Sequence, residues 1–204
     1  MSLSASAGVQ PGRDGRARCR WAAGTGPDRW APADYVVYHD TEWGRDVHGD
    51  AALLERLVLE GFQSGLSWLT ILRKRSAFRA AFAGFEPEVV AGFGADDVAR
   101  LLTDAGIVRH RGKIEAALVN AAATVRLSQE EGPGALDRLV WGFAPPVRPA
   151  PQSVADVPAR TSESAALARA LKSAGFAFVG PTTAYATMQA CGLVNDHLAG
   201  CVAR

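Results

Sequence analysis

Cys19 and His39 stand near the start of this 204-residue chain, and His197 and Cys201 stand near its end. Thiolate and imidazole are zinc-binding side chains, and two of each complete a tetrahedral site. His197 and Cys201 are four positions apart, so one helical turn would aim both the same way. Cys19 and His39 need a loop to meet. If the four converge, a metal clasps the two ends of the chain. The spacing fits no standard zinc finger. Two ordinary cysteines with two surface histidines, or a Cys19–Cys201 disulfide, are the alternatives at this point.

A second set of residues suits a flat, polar ring. Glu60 follows Leu53 by almost a whole number of helical turns and falls beside Leu57 on a helical wheel. A carboxylate on a core-facing stripe is costly unless something pairs with it. A glutamate at the stripe's edge, reaching water or an arginine, is the plainer reading. Tyr35, Tyr38 and Trp43 lie upstream and Trp68 downstream. A carboxylate among flat aromatics makes a slot for a cationic or polar ring.

The third set is a glycine-bounded turn. Residues 101–114 read as a helix, a hairpin around Gly106 and Gly112, and a second helix. Amides at the second helix's N-terminus can hold a phosphate oxygen. Arg109, Arg111 and Lys113 would add attraction to a nucleic-acid backbone that is independent of sequence. An ordinary turn between packed helices is the alternative. Lys113 as a Schiff-base nucleophile is disfavoured, because its basic neighbours suit phosphate contact better.

The elements that must position these residues read as helices. Apolar spacing marks helices over 51–61, 66–75, 96–104, 112–127 and 136–143. Five prolines between 145 and 158 mark a linker or long surface loop. Thr161 or Ser162 caps a further helix that ends at Gly175, and Pro181 opens the last one. Phe176 to Val179, the one strand candidate, is too short to build a sheet. The fold class is therefore all-α. Residues 1–18 read as a disordered leader and 19–204 as a single domain, with a helical core over about 45–145.

Hydrophobic content of 48% and mean hydropathy of +0.01 describe a globular chain. No apolar run approaches the ~20 residues that span a membrane. Three cysteines suit no disulfide framework and point to a cytoplasmic setting, with Cys191 a small buried hydrophobe. Net charge is only +1. The basic residues are nonetheless grouped: Arg73, Lys74, Arg75 and Arg79 occupy an acid-free stretch between Phe62 and Phe85.

Tyr38-His39-Asp40-Thr41-Glu42-Trp43-Gly44 resembles a stretch of the bacterial 3-methyladenine DNA glycosylase I family. So do Leu59-Glu60-Gly61-Phe62-Gln63-Ser64-Gly65-Leu66-Ser67-Trp68, residues 104–114, and Met188-Gln189-Ala190-Cys191-Gly192-Leu193-Val194-Asn195-Asp196-His197. They run in family order from Cys19 to Cys201. The resemblance implies a helix-hairpin-helix glycosylase fold with a structural zinc on Cys19, His39, His197 and Cys201. It implies a base pocket of Glu60, Tyr38 and Trp68, with Tyr35, Trp43 and Trp21 nearby. Asp40 and Asp196 each adjoin a ligand histidine; either could orient the imidazole, and each could equally be solvated.

The implied reaction extrudes a damaged base from double-stranded DNA and hydrolyses its bond to the sugar. Adenine methylated at N3 is cationic, so stacking contributes about 0.5–2 kcal/mol. A hydrogen bond to ionised Glu60 adds about 1.5–3 kcal/mol. Larger relatives place an aspartate soon after the hairpin. Here that distance holds Gln129-Glu130-Glu131-Gly132, which reads as a polar loop, and neither glutamate is assigned to catalysis. A monofunctional enzyme that leaves an abasic site is expected, acting as a monomer. A zinc-clasped module that binds DNA without chemistry is the competing reading; it has no need of Glu60, Tyr38 and Trp68.

Overall fold

The structure, a computed structural model, describes residues 8–25 and 29–204. Among these residues there are ten α-helices and one two-stranded hairpin. The chain divides into two compact units. The first holds the residues up to Asp46, Pro145–Ala159 and Gln189–Arg204, and the second holds Val47–Ala144 and Arg160–Met188.

In the first unit β1 (Gln10–Pro11) pairs antiparallel with β2 (Ala17–Arg18). Helices α1 (Arg20–Ala23) and α2 (Ala33–Thr41) follow. The expected disordered leader over 1–18 does not hold from Gly8 onward; residues 1–7 lie outside the described residues. The physical reason is Arg18, which is 2% exposed. Its guanidinium bonds Asp14 at 2.6 and 2.8 Å and Asp40 at 2.8–3.0 Å. These pairings order a segment too polar to reveal itself by hydrophobic pattern. The amide of Val202 donates to Ala17 O at 2.8 Å, and that of Ala199 to Pro151 O at 2.8 Å. Cys19, Leu198, Cys201 and Ala203 form a small core against Val9, Trp21 and Val157.

The second unit holds α3 (Asp50–Gln63), α4 (Trp68–Ala81), α5 (Pro87–Ala91), α6 (Ala95–Thr103), α7 (Arg111–Glu131), α8 (Ala135–Trp141) and α9 (Ser162–Ser173). It also holds α10 (Pro181–Ala190) as far as Met188. Residues 160–188 thus join the expected 45–145 core. On α3 the stripe Leu53, Leu54, Leu57, Val58 and Phe62 is buried. Phe62 packs on Phe78 with ring centroids 4.7 Å apart, and Phe82 stacks on Phe85 at 5.5 Å. Thr161 caps α9 by accepting from the Ser164 amide at 3.2 Å, as its sequence position predicts. Gln129, Glu130 and Glu131 form the exposed end of α7 rather than a loop.

The turn between α6 and α7 departs from expectation at two residues. The Gly106 amide donates to Asp104 Oδ1 at 2.7 Å, and its carbonyl accepts from Lys74 Nζ at 3.2 Å. That amide is therefore committed within the protein and not offered to phosphate. A Cβ at Gly106 would stand 2.9 Å from Ala77 Cβ, so glycine here serves close packing on α4. Lys113, expected on the DNA backbone, is instead buried. Its ammonium donates to Phe62 O at 2.9 Å and Ser64 O at 2.5 Å, satisfying carbonyls that the end of α3 leaves open. Lys113→Met is expected to lower the unfolding free energy by about 1–3 kcal/mol, measured by chemical denaturation. An unchanged midpoint would show that the ammonium does not brace α3.

Candidate functional site

The first unit brings four expected ligands together. Cys19, His39, His197 and Cys201 are all buried, and their ligand atoms lie within 4.8 Å of one another. His39 Nε2 stands 3.2 Å from His197 Nδ1, and Cys201 Sγ stands 3.5 and 3.6 Å from these nitrogens. Cys19 Sγ lies 3.9 Å from His197 Nδ1. Metal–nitrogen bonds of ~2.05 Å and metal–sulfur bonds of ~2.3 Å give tetrahedral edges of about 3.3 Å between nitrogens and about 3.6 Å between nitrogen and sulfur. The four donors therefore fit one tetrahedral cation. The three cysteines are all free.

His197 and Cys201 do not reach this site from a helix, as their spacing predicted. Helix α10 ends at Ala190, and the ligands sit on an irregular segment with a turn from Cys201 N to Leu198 O at 3.0 Å. The segment can stay irregular because side chains and strand edges hold it. His197 N donates to Asn195 Oδ1 at 3.2 Å, and Arg204 bridges the carbonyls of Asn195 and His197. A hydrogen bond with Cys19 holds the Cys201 thiol far below the ordinary thiol range, helped by His197 and His39. Cys19 is pushed up by the same pairing and by burial. Two such groups without a cation share one proton; a dication favours both as thiolates.

The second layer of the cluster is asymmetric. Asp40 Oδ1 lies 2.7 Å from His39 Nδ1, which leaves Nε2 to face the donors. Arg18 fixes Asp40 in turn and, against burial, holds its carboxyl below the usual range. His197 Nε2 donates to the carbonyl of Trp43 at 3.0 Å. Asp196, expected to serve His197, bonds Gln189 Nε2 at 2.9 Å. Arg18 leaves little trace in the sequence, where only its four-residue spacing from Asp14 hints at a pair.

Aromatic rings wrap the same cluster. Trp21 lies 4.7 Å from Tyr35, 4.8 Å from His39 and 5.3 Å from Trp43 between ring centroids. Trp43 is 4.7 Å from His197 at 81°. Tyr38 is buried, with its ring 6.5 Å from Trp21. Trp21 and Trp43 thus shield the histidines, and Tyr35 and Tyr38 extend the ring cluster along α2.

In the second unit Glu60 is 6% exposed, near the end of α3. Among the described residues its carboxyl group makes no hydrogen bond or ion pair. Burial pushes its pKa up to about 8, with Arg56 pulling weakly the other way. Trp68, also buried, opens α4 behind the cap Ser67. On the hairpin, Arg109 and Arg111 are exposed, and Arg111 pairs with Glu115 at 3.3 Å. The amides of Arg109, Arg111 and Gly112 make no hydrogen bond among the described residues. They are donors of the kind that a helix N-terminus offers to an anion.

Comparison with known proteins agrees with this arrangement. Residues 30–204 match the family of methyladenine glycosylases. DNA-3-methyladenine glycosylase 1 of Escherichia coli (strain K12) is 48% identical over 177 residues, covering 84% of this chain and 93% of its own. A crystal structure of 3-methyladenine DNA glycosylase I aligns with a TM-score of 0.82 at 44% identity, covering 90% of this chain and 97% of that one. The Staphylococcus aureus enzyme, solved to explain 3-methyladenine recognition, aligns at 0.79 with 36% identity, covering 84% and 92%. Cys19 and Trp21 precede the family match, and the fold nonetheless seats them with His39. The chain belongs to the methyladenine glycosylase family.

Proposed function

We propose that this protein removes 3-methyladenine from alkylated double-stranded DNA by hydrolysing the bond between base and sugar. The observation that carries the reading is Glu60, a buried carboxyl group that makes no hydrogen bond or ion pair among the described residues. Such a group is costly in an unliganded protein and becomes favourable when a cationic ring arrives. A module that only binds phosphates has no use for it. In this reading Glu60 gives up its proton to solvent as the cationic base arrives, and the carboxylate accepts a hydrogen bond from that base. Trp68 offers the ring an aromatic face, and Tyr38 is assigned the same task by the family resemblance. The family resemblance also names Tyr35, Trp43 and Trp21 near the base; within the first unit these rings pack around His39 and His197. Gly112, Arg109 and Arg111 hold the DNA backbone.

Recognition of the ring's charge supplies selectivity, and departure is driven by that charge itself, because breaking the bond to the sugar neutralises the ring. With Lys113 committed to the carbonyls of α3, a lysine–sugar adduct has no support, and the product is an abasic site in an uncut strand. Two thiolates and two imidazoles favour zinc, which would tie Cys19 and His39 to His197 and Cys201 and take no part in the chemistry. No helix among the described residues is long and apolar enough to cross a membrane. We assign the protein to the cytoplasm as a monomer.

Release of free 3-methyladenine from alkylated duplex DNA tests the proposal, and no release by the wild type with DNA binding intact would reject it. The pH profile tests Glu60. The free protein holds this carboxyl protonated up to about pH 8. Recognition needs the carboxylate, so kcat/KM is expected to rise with pH through a midpoint near 8 and to level off about one unit higher. Glu60→Gln should lose that rise and lower kcat/KM at pH 8 by about 10- to 150-fold. Stability runs the other way. The folded pKa is raised, so the contribution is complete below about pH 4.5 and is lost as pH approaches 8. Between these values stability should fall by up to about 1.4 kcal/mol per pH unit, and Glu60→Gln should flatten that slope. A parallel slope in the variant would contradict the assignment.

Cys201→Ser should reduce zinc content of the purified, reduced protein and its melting temperature together. Unchanged metal stoichiometry by elemental analysis would remove Cys201 from the site.

A further inference from the structure

Among the described residues Phe178 is the one exposed phenylalanine, tyrosine or tryptophan, at 48%. Its backbone has φ of +56°, in the left-handed region that suits glycine and disfavours a bulky side chain. Nothing in the sequence reading singled it out.

The surroundings impose this pose. Phe176 and Val179 on either side are buried. Asn120, from α7, clamps the intervening peptide: Ala177 N donates to Asn120 Oδ1 at 2.7 Å, and Asn120 Nδ2 donates to Ala177 O at 3.3 Å. The loop is thus anchored at both ends and in the middle, and the one ring it could have tucked away points to solvent. A strained backbone that displays an apolar ring is an unfavourable combination unless the ring has something to meet.

Its neighbours indicate what that is. The ring lies 6.4 Å from the His110 ring, at the cap of α7, and its Cε2 atom would stand 3.8 Å from a Cβ on Gly112. A Cβ on Gly61, the residue after Glu60, would stand 3.9 Å from Phe178 Cβ. Phe178 therefore sits between the hairpin end that offers free amides and the end of α3 that carries the buried carboxyl. All of these belong to the second unit.

We propose that Phe178 is a wedge that enters the base stack of the duplex beside the extruded nucleotide. The inference rests on the glycosylase reading above. A rigid apolar ring replaces part of the stacking that is lost when a base leaves the helix, and such side chains unstack and kink duplexes. Holding the ring on a clamped loop means that little freedom is lost when DNA arrives.

Phe178→Gly tests this with a readout that separates function from structure. Glycine adopts φ of +56° freely, so the variant should melt no lower than the wild type. Its kcat/KM for release of 3-methyladenine from duplex DNA should fall at least tenfold, and Phe178→Leu should recover part of the loss. Binding of free 3-methyladenine should be unchanged. A duplex with a tetrahydrofuran abasic site beside 2-aminopurine should brighten with the wild type, as the neighbour unstacks, and stay dim with Phe178→Gly. Release and fluorescence equal to wild type in Phe178→Gly would overturn the wedge while leaving the glycosylase assignment intact. A lower melting temperature, with activity lost only in proportion to unfolding, would mark the ring as structural and also overturn it. No release by the wild type would instead fail the underlying reading.

Discussion

A carboxyl group that is only 6% exposed and makes no hydrogen bond among the described residues is the constraint around which the second unit is arranged. Glu60 rides on α3, the helix whose apolar stripe forms much of that unit's core. The helix cannot rotate to expose it without drawing Leu53, Leu57 and Phe62 into water. Lys113 fixes the same helix from beyond its end, through the carbonyls of Phe62 and Ser64. The carboxyl is therefore held in place by hydrophobic burial on one side and a buried ammonium on the other. What remains free to change is its proton.

The first unit solves a different problem. Its residues come from distant parts of the chain and bury few large side chains. A Cys2His2 cluster, an Arg18–Asp40–His39 relay and a ring of tryptophans supply cohesion instead. Each part restrains the next: Arg18 sets Asp40, Asp40 sets the ring of His39, and the carbonyl of Trp43 sets that of His197. Small units with thin cores commonly need such a staple.

Much of this was legible in the sequence, for identifiable reasons. The four clustered cysteines and histidines are chemically rare residues, and Glu60 breaks an otherwise apolar stripe on a strongly periodic helix. The cap at Thr161 and the proline at the start of α10 are local signals that the structure follows. What was hidden depends on tertiary contact. The hairpin over residues 10–18 is held by ion pairs, which leave no periodicity. Helix α2 buries little beyond Tyr38 and His39, so it shows no stripe. His197 and Cys201 have helical spacing but sit on a segment shaped by Asn195 and Arg204. Lys113 and Gly106 look like phosphate contacts because composition cannot tell an outward cation or amide from one already engaged inside.

The most direct test is the protonation of Glu60 itself, followed by carbon-13 NMR of its labelled carboxyl group. The free protein should titrate near pH 8. Bound to a duplex in which a 2′-fluorine slows loss of the methylated base, the same carboxyl should be ionised at neutral pH. A free-state titration at the ordinary glutamate value, unmoved by the damaged duplex, would contradict the account.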